Sequence, residues 1–151
     1  MRIQGLQKLT LLDYPGRTAC TVFLSGCNFR CPFCHNAPLL TAADEDGMDE
    51  DELLAFLKKR QGLLDGVAVT GGEPLLRPEL PALLEKIKAL GYAIKLDTNG
   101  AFPEQLKAVV CAGLADYVAM DIKNSPARYA ETAGVPGLAL TPIFRSVSFL
   151  L

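Results

Sequence analysis

Short apolar runs alternate with amphipathic helical runs from residue 19 onward, and this alternation constrains the fold more than any other feature of the sequence. The apolar runs have the length and the near-continuous hydrophobicity of strands that are covered on both faces, as in a parallel sheet. Strands that alternate with helices in this way predict an α/β fold with right-handed crossover connections. The predicted strands are Ala19–Leu24, 66–70, 92–96 and Tyr117–Met120.

Apolar residues between the predicted strands recur at the spacing of one helix face, and three helices are predicted from them. Asp49 and Glu52 resemble a capping box at the start of the first helix. Pro103 is a typical first residue for the third helix, and a glycine follows each helix at its expected end. The apolar faces are Leu53, Leu54 and Leu57, then Leu80, Leu83, Leu84 and Ile87, then Leu106, Val109 and Val110.

The two ends of the chain carry weaker patterns. Residues 9–12 are predicted to form a strand that a turn at residues 13–16 terminates, and residues 146–151 are predicted to lie in an amphipathic helix with an apolar end. About four βα units fit into the sequence, fewer than the eight of a closed barrel. We therefore expect one domain over residues 1–151, with an α/β architecture that is a partial (β/α) barrel of parallel strands, truncated at its C-terminus.

Composition and charge exclude several classes of protein. Seventeen acidic and fifteen basic residues give a formal net charge of −2, which argues against a nucleic-acid-binding protein with a broad basic surface. No apolar stretch approaches the roughly 18 residues of a membrane span, and the N-terminus does not resemble a signal peptide. Five cysteines, an odd number, do not fit a disulfide framework, so we expect a cytoplasmic protein with reduced thiols. The acidic segment 44–52 is interpreted as a solvated loop before a helix rather than a metal site.

Three cysteines with the spacing C-x3-C-x2-C follow the first predicted strand, in a loop that contains glycine, proline and asparagine. Iron–sulfur clusters usually have four cysteine ligands, so three would leave one iron of a [4Fe–4S] cluster open to a small molecule, by analogy with catalytic zinc sites. The alternative is a zinc site with His35 as the fourth ligand. The candidate ligands are Cys27, Cys31 and Cys34, whereas Cys20 and Cys111 fall in apolar runs and are predicted to be buried.

Polar or glycine-rich segments follow the other three predicted strands. Residues 71–74 read Gly-Gly-Glu-Pro, residues 97–100 read Asp-Thr-Asn-Gly, and residues 121–123 read Asp-Ile-Lys. Taken singly, each segment is explained by a turn or a helix cap. Because the carboxyl ends of parallel strands meet at the same edge of a sheet, all of them are expected to lie beside the cysteine loop.

The side chains of these segments suit a small polar ligand. Two adjacent glycines, Gly71 and Gly72, let the backbone approach a ligand more closely than bulkier residues would. Asp97 and Asn99 offer polar groups for a ribose hydroxyl, and Lys123 offers a cation for a carboxylate. The sequence therefore predicts a ligand site at this edge of the sheet, next to the cysteines.

The cysteine motif, with Phe33 directly before its last cysteine, together with Gly-Gly-Glu-Pro at 71–74 resembles the radical S-adenosylmethionine superfamily. A longer match joins Leu-Asp-Tyr-Pro-Gly at 12–16 to residues 27–36. It is similar to the activating enzymes of glycyl-radical enzymes, and most closely to the anaerobic ribonucleoside-triphosphate reductase activating proteins. The resemblance extends over essentially the whole chain, to residues 129–134 and beyond.

The resemblance implies a [4Fe–4S] cluster and S-adenosylmethionine as cofactors. Cys27, Cys31 and Cys34 would bind the cluster, and S-adenosylmethionine would chelate the open iron. A monovalent cation between Asp97 and Asp121 is also implied. The residues implied to surround the S-adenosylmethionine are Gly71, Gly72 and Glu73 near the methionine moiety, Asp97, Thr98 and Asn99 toward the ribose, and Lys123 near the carboxylate.

The resemblance further implies a radical reaction on a partner protein. An electron from flavodoxin or ferredoxin would cleave S-adenosylmethionine, and the resulting 5′-deoxyadenosyl radical would take hydrogen from a glycine of an anaerobic ribonucleotide reductase. One alternative within the superfamily is an enzyme that modifies a small molecule or nucleotide. An alternative of another class is a zinc-binding module or an iron–sulfur electron carrier.

Overall fold

A parallel sheet lies at the centre of the protein, whose computed structural model describes residues 1–40 and 47–151. The strands are β1 (Arg2–Ile3), β2 (Gly5–Thr10), β3 (Ala19–Leu24), β4 (Met48–Asp49), β5 (Gly66–Gly71), β6 (Ala93–Thr98) and β7 (Tyr117–Met120). Five of them form one open sheet in the order β2-β3-β5-β6-β7, in which only β2 is antiparallel to its neighbour. The two short strands β1 and β4 pair separately. This arrangement confirms the predicted α/β fold and partial barrel.

Helices connect the parallel strands, as the sequence pattern predicts. They are α1 (Glu50–Lys59), α2 (Leu80–Ala89), α3 (Pro103–Cys111), α4 (Tyr129–Ala133) and α5 (Thr141–Leu150). The capping box at the start of α1 is confirmed, because Asp49 and Glu52 accept reciprocal hydrogen bonds from each other's backbone N–H. Residues 44–46 of the acidic segment lie outside the described residues. No helix in the described ranges is both long enough and apolar enough to cross a membrane.

The main core lies between the helices and one face of the sheet. Leu53 and Leu57 of α1 are fully buried there, as are the predicted apolar positions of α2. Along β6 the burial alternates, so that Ile94 and Leu96 face the core while Lys95 lies on the opposite face of the strand. That opposite face is where the sheet meets the cavity described below.

A second, smaller core supports the cysteine-containing loop. It is built from the fully buried Phe29 of that loop, from Tyr129 and Ala133 of α4 and from Ile143 of α5. The backbone N–H of Arg30 donates to the carbonyl of Ala133 at 2.8 Å, which ties the loop to the end of α4. The loop is therefore packed against a segment that follows the last strand.

Two local predictions are wrong. The strand predicted at 9–12 ends at Thr10, because the Thr10 hydroxyl accepts hydrogen bonds from the backbone N–H groups of Leu12 and Asp13 and bends the chain there. Leu12 is consequently 89% exposed. Cys20 is fully buried as predicted, but Cys111 is exposed, since it lies at the end of α3 away from the buried face of that helix.

Candidate functional site

A cavity of about 630 Å³ opens at the carboxyl ends of strands β3, β5, β6 and β7. Its size is typical of a small-molecule site. Every residue that the sequence nominates for the site lines this one cavity. They are Cys27, Cys31, Cys34, Gly71, Gly72, Glu73, Asp97, Thr98, Asn99 and Lys123.

The three thiols are brought to one wall of the cavity by the loop after β3. Phe29 anchors the loop in the second core, and its backbone N–H donates to Sγ of Cys27 at 3.4 Å. A further turn forms where the N–H of Cys34 donates to the carbonyl of Cys31 at 3.1 Å. Burial raises the pKa of Cys27 and of Cys31, and the neighbouring thiols raise both further. The charge of Lys123 acts in the opposite direction on the pKa of Cys31, and a bound metal centre would favour the thiolate form further.

The donor set, three thiols of one loop that line the same cavity, fits an iron–sulfur cluster. Among residues 1–40 and 47–151, no group of three or more His, Cys, Asp or Glu side chains has the spacing that one ion requires. The thiolate ligands of a [4Fe–4S] cluster bind different irons, so they surround a volume rather than converge on a point. His35 is exposed on the rim of the cavity. A zinc site with His35 as the fourth ligand would need this exposed imidazole to turn into the cavity.

Gly71 and Gly72 line the cavity, and the protein's own backbone also requires that they carry no side chain. The N–H of Gly72 donates to the carbonyl of Leu24 at 3.0 Å, at the point where β5 leaves the sheet. A Cβ on Gly72 would lie 1.9 Å from the carbonyl oxygen of Gly26, and one on Gly71 would lie 2.2 Å from that of Leu24. The two glycines therefore allow the cysteine loop to pack against the end of β5.

Glu73 joins the ends of β5 and β6 from a buried position, 1% exposed. Its Oε1 accepts from the Thr98 hydroxyl at 2.7 Å and from the N–H of Leu75 at 3.2 Å, while Oε2 accepts from the N–H of Asn99 at 2.7 Å. Burial raises the pKa of Glu73 to about 7, and these hydrogen bonds act in the opposite direction. The carboxyl group thus holds neighbouring segments of the cavity wall in register.

We expect Glu73 to stabilise the folded, metal-free chain less as the pH rises from about 5 to about 8. Its folded-state pKa of about 7 lies above the ordinary 4.5, so the folded state binds the proton more tightly. The stabilisation is complete below the unfolded pKa and is lost as the pH rises through the folded pKa, by about 3 kcal/mol in all. Urea titrations of the unchanged chain and of Glu73→Gln across this range measure the effect. A stability difference between the two that does not vary with pH would contradict it.

Two asparagines of the cysteine loop connect it to the strand ends, a role that the sequence analysis did not predict. Nδ2 of Asn36 donates to the carbonyl of Gly71 at 3.1 Å. Oδ1 of Asn28 accepts from Nδ2 of Asn99 at 2.9 Å, and the same Nδ2 lies 3.9 Å from Sγ of Cys27. Their signal in the sequence was their position, one residue after the first cysteine of the motif and two residues after the last.

Two lysine–aspartate pairs face the cavity. Nζ of Lys123 lies 2.5 Å from Oδ2 of Asp121, and Nζ of Lys95 lies 2.9 Å from Oδ1 of Asp97. Burial acts to lower the pKa of Lys123, but its hydrogen bond to Asp121 and the charge of Asp121 raise it. Lys95 was missed in the sequence, although a lysine between two buried strand residues signals a polar interior face.

The family model of the Radical SAM superfamily matches residues 21–142 of the chain. A protein of Methanocaldococcus jannaschii named as a glycyl-radical enzyme activating enzyme is 33% identical over 133 residues, with 85% of this chain and 53% of that protein covered. A 7-carboxy-7-deazaguanine synthase of Hyperthermus butylicus is 34% identical over 135 residues, with 85% and 51% covered. The pyruvate formate-lyase-activating enzyme of Clostridium pasteurianum is 35% identical over 133 residues, with 82% and 52% covered.

A solved structure of TYW1 with a lysine–pyruvate adduct bound shares the fold, with a TM-score of 0.59 at 16% sequence identity. The match covers 87% of this chain and 51% of that one. The chain thus spans about half the length of the curated relatives it matches. Members of the matching family use a [4Fe–4S] cluster and S-adenosylmethionine. The sequence motif, the fold and the family match of this chain together show that it belongs to the radical SAM superfamily.

Proposed function

We propose that residues 1–151 form a radical SAM core domain in which Cys27, Cys31 and Cys34 bind a [4Fe–4S] cluster. The observation that carries this proposal is that three partly buried thiols of one loop line the same cavity as the ends of β5, β6 and β7. Three thiolates leave one iron without a protein ligand, and the adjoining cavity has room for a small molecule at that position.

S-adenosylmethionine occupies the rest of the cavity in this proposal. The ammonium of Lys123 attracts its carboxylate, and the backbone around Gly72 borders its methionine moiety. Asp97 and Asn99 bind the ribose hydroxyls. Thr98 and Glu73 act as positioning residues, because the buried Glu73 carboxyl group accepts the Thr98 hydroxyl and the Asn99 N–H and so fixes this wall.

We further propose that the chain belongs to an activating enzyme of a glycyl-radical enzyme. The names of the relatives from Methanocaldococcus jannaschii and Clostridium pasteurianum support this assignment. When bound, the cluster would pass one electron from a donor protein to S-adenosylmethionine and so cleave its sulfonium C–S bond, which is the chemistry needed to remove hydrogen from a partner's glycine. The protein's residues orient the cofactor and keep water away from it. The sequence resemblance favours an anaerobic ribonucleotide reductase as partner, with flavodoxin or ferredoxin as the electron donor.

The proposal predicts that the cluster-loaded, reduced chain forms 5′-deoxyadenosine from S-adenosylmethionine and a glycyl radical on anaerobic ribonucleotide reductase. In this proposal the cofactor lies beside the three thiols, where the electron would arrive. Anaerobic incubation followed by EPR spectroscopy of the reductase and chromatography of the nucleosides measures both products. Cys31→Ala is the control that lacks a cluster ligand. Formation of 5′-deoxyadenosine without a radical on the reductase would contradict the choice of partner.

A second candidate function is the modification of a small molecule or nucleotide. The 7-carboxy-7-deazaguanine synthase of Hyperthermus butylicus supports it with an identity close to that of the activating enzymes. A GTP 3′,8-cyclase of Xanthomonas campestris, 36% identical over 125 residues, supports it as well. Conversion of a soluble purine substrate, with no stable radical on any added glycyl-radical enzyme, would favour this candidate over the first.

A further inference from the structure

Lys95 occupies an unusual position for a lysine. It lies on β6 between the fully buried Ile94 and Leu96, and its side chain is 12% exposed within the cavity. Strand register holds it two residues from Asp97 on the same face. A lysine is seldom buried to this degree without a charged partner. The partner of Lys95 is Asp97, whose Oδ1 lies 2.9 Å from Nζ of the lysine.

Asp97, whose side chain is 34% exposed, has the Lys95 ammonium as its charged neighbour. Its Oδ1 atom is buried, and among the described residues the Lys95 ammonium is close to that oxygen without being aligned for a hydrogen bond. The ammonium of Lys95 is the positive charge beside it. Asp121, whose side chain is 65% exposed, is paired with Lys123. The two carboxylates to which the family resemblance assigns a monovalent cation therefore each have a lysine of this chain.

We propose that Lys95 is a built-in cation of the cavity, and that its ammonium supplies at Asp97 the positive charge that a bound monovalent cation would otherwise supply. A free potassium or sodium ion at Asp97 Oδ1 would meet the ammonium at close range and be repelled. Lys95 is thus a positioning residue that holds the Asp97 carboxylate toward the cavity. The role of Lys95 in the charge of the cavity wall does not depend on the proposed function. Only the identity of the ligand that contacts this wall, S-adenosylmethionine, rests on that function.

The test compares thermal unfolding in potassium chloride and in choline chloride of equal ionic strength. We expect the unchanged chain to have the same midpoint in both salts. Lys95→Met is expected to unfold at a lower temperature in choline and to regain about 2–4 °C or more in potassium, because the ion can then reach Asp97. Lys95→Arg, which keeps the charge, is expected to show no preference between the salts.

Lys88→Met is the matched control, since Lys88 forms a lysine–aspartate pair with Asp116 outside the cavity, at 2.7 Å. It is expected to lose the same stability in both salts. A higher midpoint of the unchanged chain in potassium would overturn the proposal, and so would a Lys95→Met variant that does not distinguish the salts. Lys95→Gln provides a second variant if Lys95→Met does not fold.

Calorimetric titration of the cluster-loaded chain with S-adenosylmethionine in the two salts separates this inference from the proposed function. Equal affinity of the unchanged chain in both salts, with an affinity of Lys95→Met that changes about tenfold between them, supports the built-in cation. An affinity of the unchanged chain that falls tenfold in choline overturns it. Absence of any binding contradicts the proposed function, while the unfolding midpoints still decide the role of Lys95.

Discussion

Replacement of Cys27, Cys31 or Cys34 by alanine is expected to abolish binding of the iron–sulfur cluster. The three thiols belong to one loop, and they line the only wall of the described cavity that carries cysteine. Each thiolate would bind a different iron of the cluster, so no remaining thiol can take the place of a missing one. Iron and sulfide analysis after anaerobic reconstitution, with the absorbance spectrum of the cluster, measures the loss. We expect the iron content of each variant to fall to the background of a protein without a site.

The other two cysteines provide the controls for that experiment. Cys20 is fully buried in β3, where burial raises its pKa to about 12, and Cys111 is exposed at the end of α3. Cys20→Ala and Cys111→Ala are therefore expected to keep the cluster. A Cys31→Ala variant with an unchanged cluster spectrum, or an unchanged chain that binds zinc in place of iron, would contradict the assignment.

Substitution of Gly72 by alanine is expected to lower both the stability and the iron content of the chain. The added Cβ would lie 1.9 Å from the carbonyl oxygen of Gly26 and 3.2 Å from Cβ of Cys27. Because the nearest obstacle is backbone, the cysteine loop has to move away from the end of β5. Overpacking of this kind costs about 1–3 kcal/mol. Chemical denaturation and iron analysis of the reconstituted variant measure the two effects.

Gly5→Ala is the matched control for Gly72→Ala. Gly5 also has an ordinary backbone conformation, and a Cβ there would make only a van der Waals contact of 3.4 Å with the side chain of Phe23. We expect this variant to keep its iron. If Gly72→Ala binds a full complement of iron and loses only affinity for S-adenosylmethionine, the glycine serves the ligand rather than the loop.

Periodicity and strand ends were sufficient to predict most of the architecture. The four predicted parallel strands are all present. Near-continuous apolar runs such as 66–70 are typical of parallel strands that are buried on both faces of the sheet. The errors at Leu12 and Cys111 have local causes. The backbone N–H of Leu12 donates to the Thr10 hydroxyl, and this hydrogen bond ends β2. Cys111 is exposed because of its position on the helix, although its sequence neighbours are apolar.

The site was predictable in place but not in internal organisation. Parallel strands bring their carboxyl ends to one edge, so the cysteine loop and the segments at 71–74 and 97–100 had to meet. The partners of Glu73 and Lys95 depend on distances between strands, which the sequence does not contain. The half of the relatives that this chain matches is common to enzymes of different reactions, so it does not by itself select one of them.

The packing of α4 against the cysteine loop has a consequence for folding of the protein during translation. A Cβ on Gly134, which has a φ of +67°, would lie 2.0 Å from the carbonyl oxygen of Arg30, so these two backbones meet without intervening side chains. Gly134 is synthesised roughly 100 residues after Arg30. At a translation rate of roughly 5–20 residues per second, the three cysteines are synthesised about 5–20 s before the segment that packs against their loop. Until then the loop lacks the hydrogen bond from the Arg30 N–H to the Ala133 carbonyl, so the arrangement of the three thiols that would hold a cluster forms only after translation of α4.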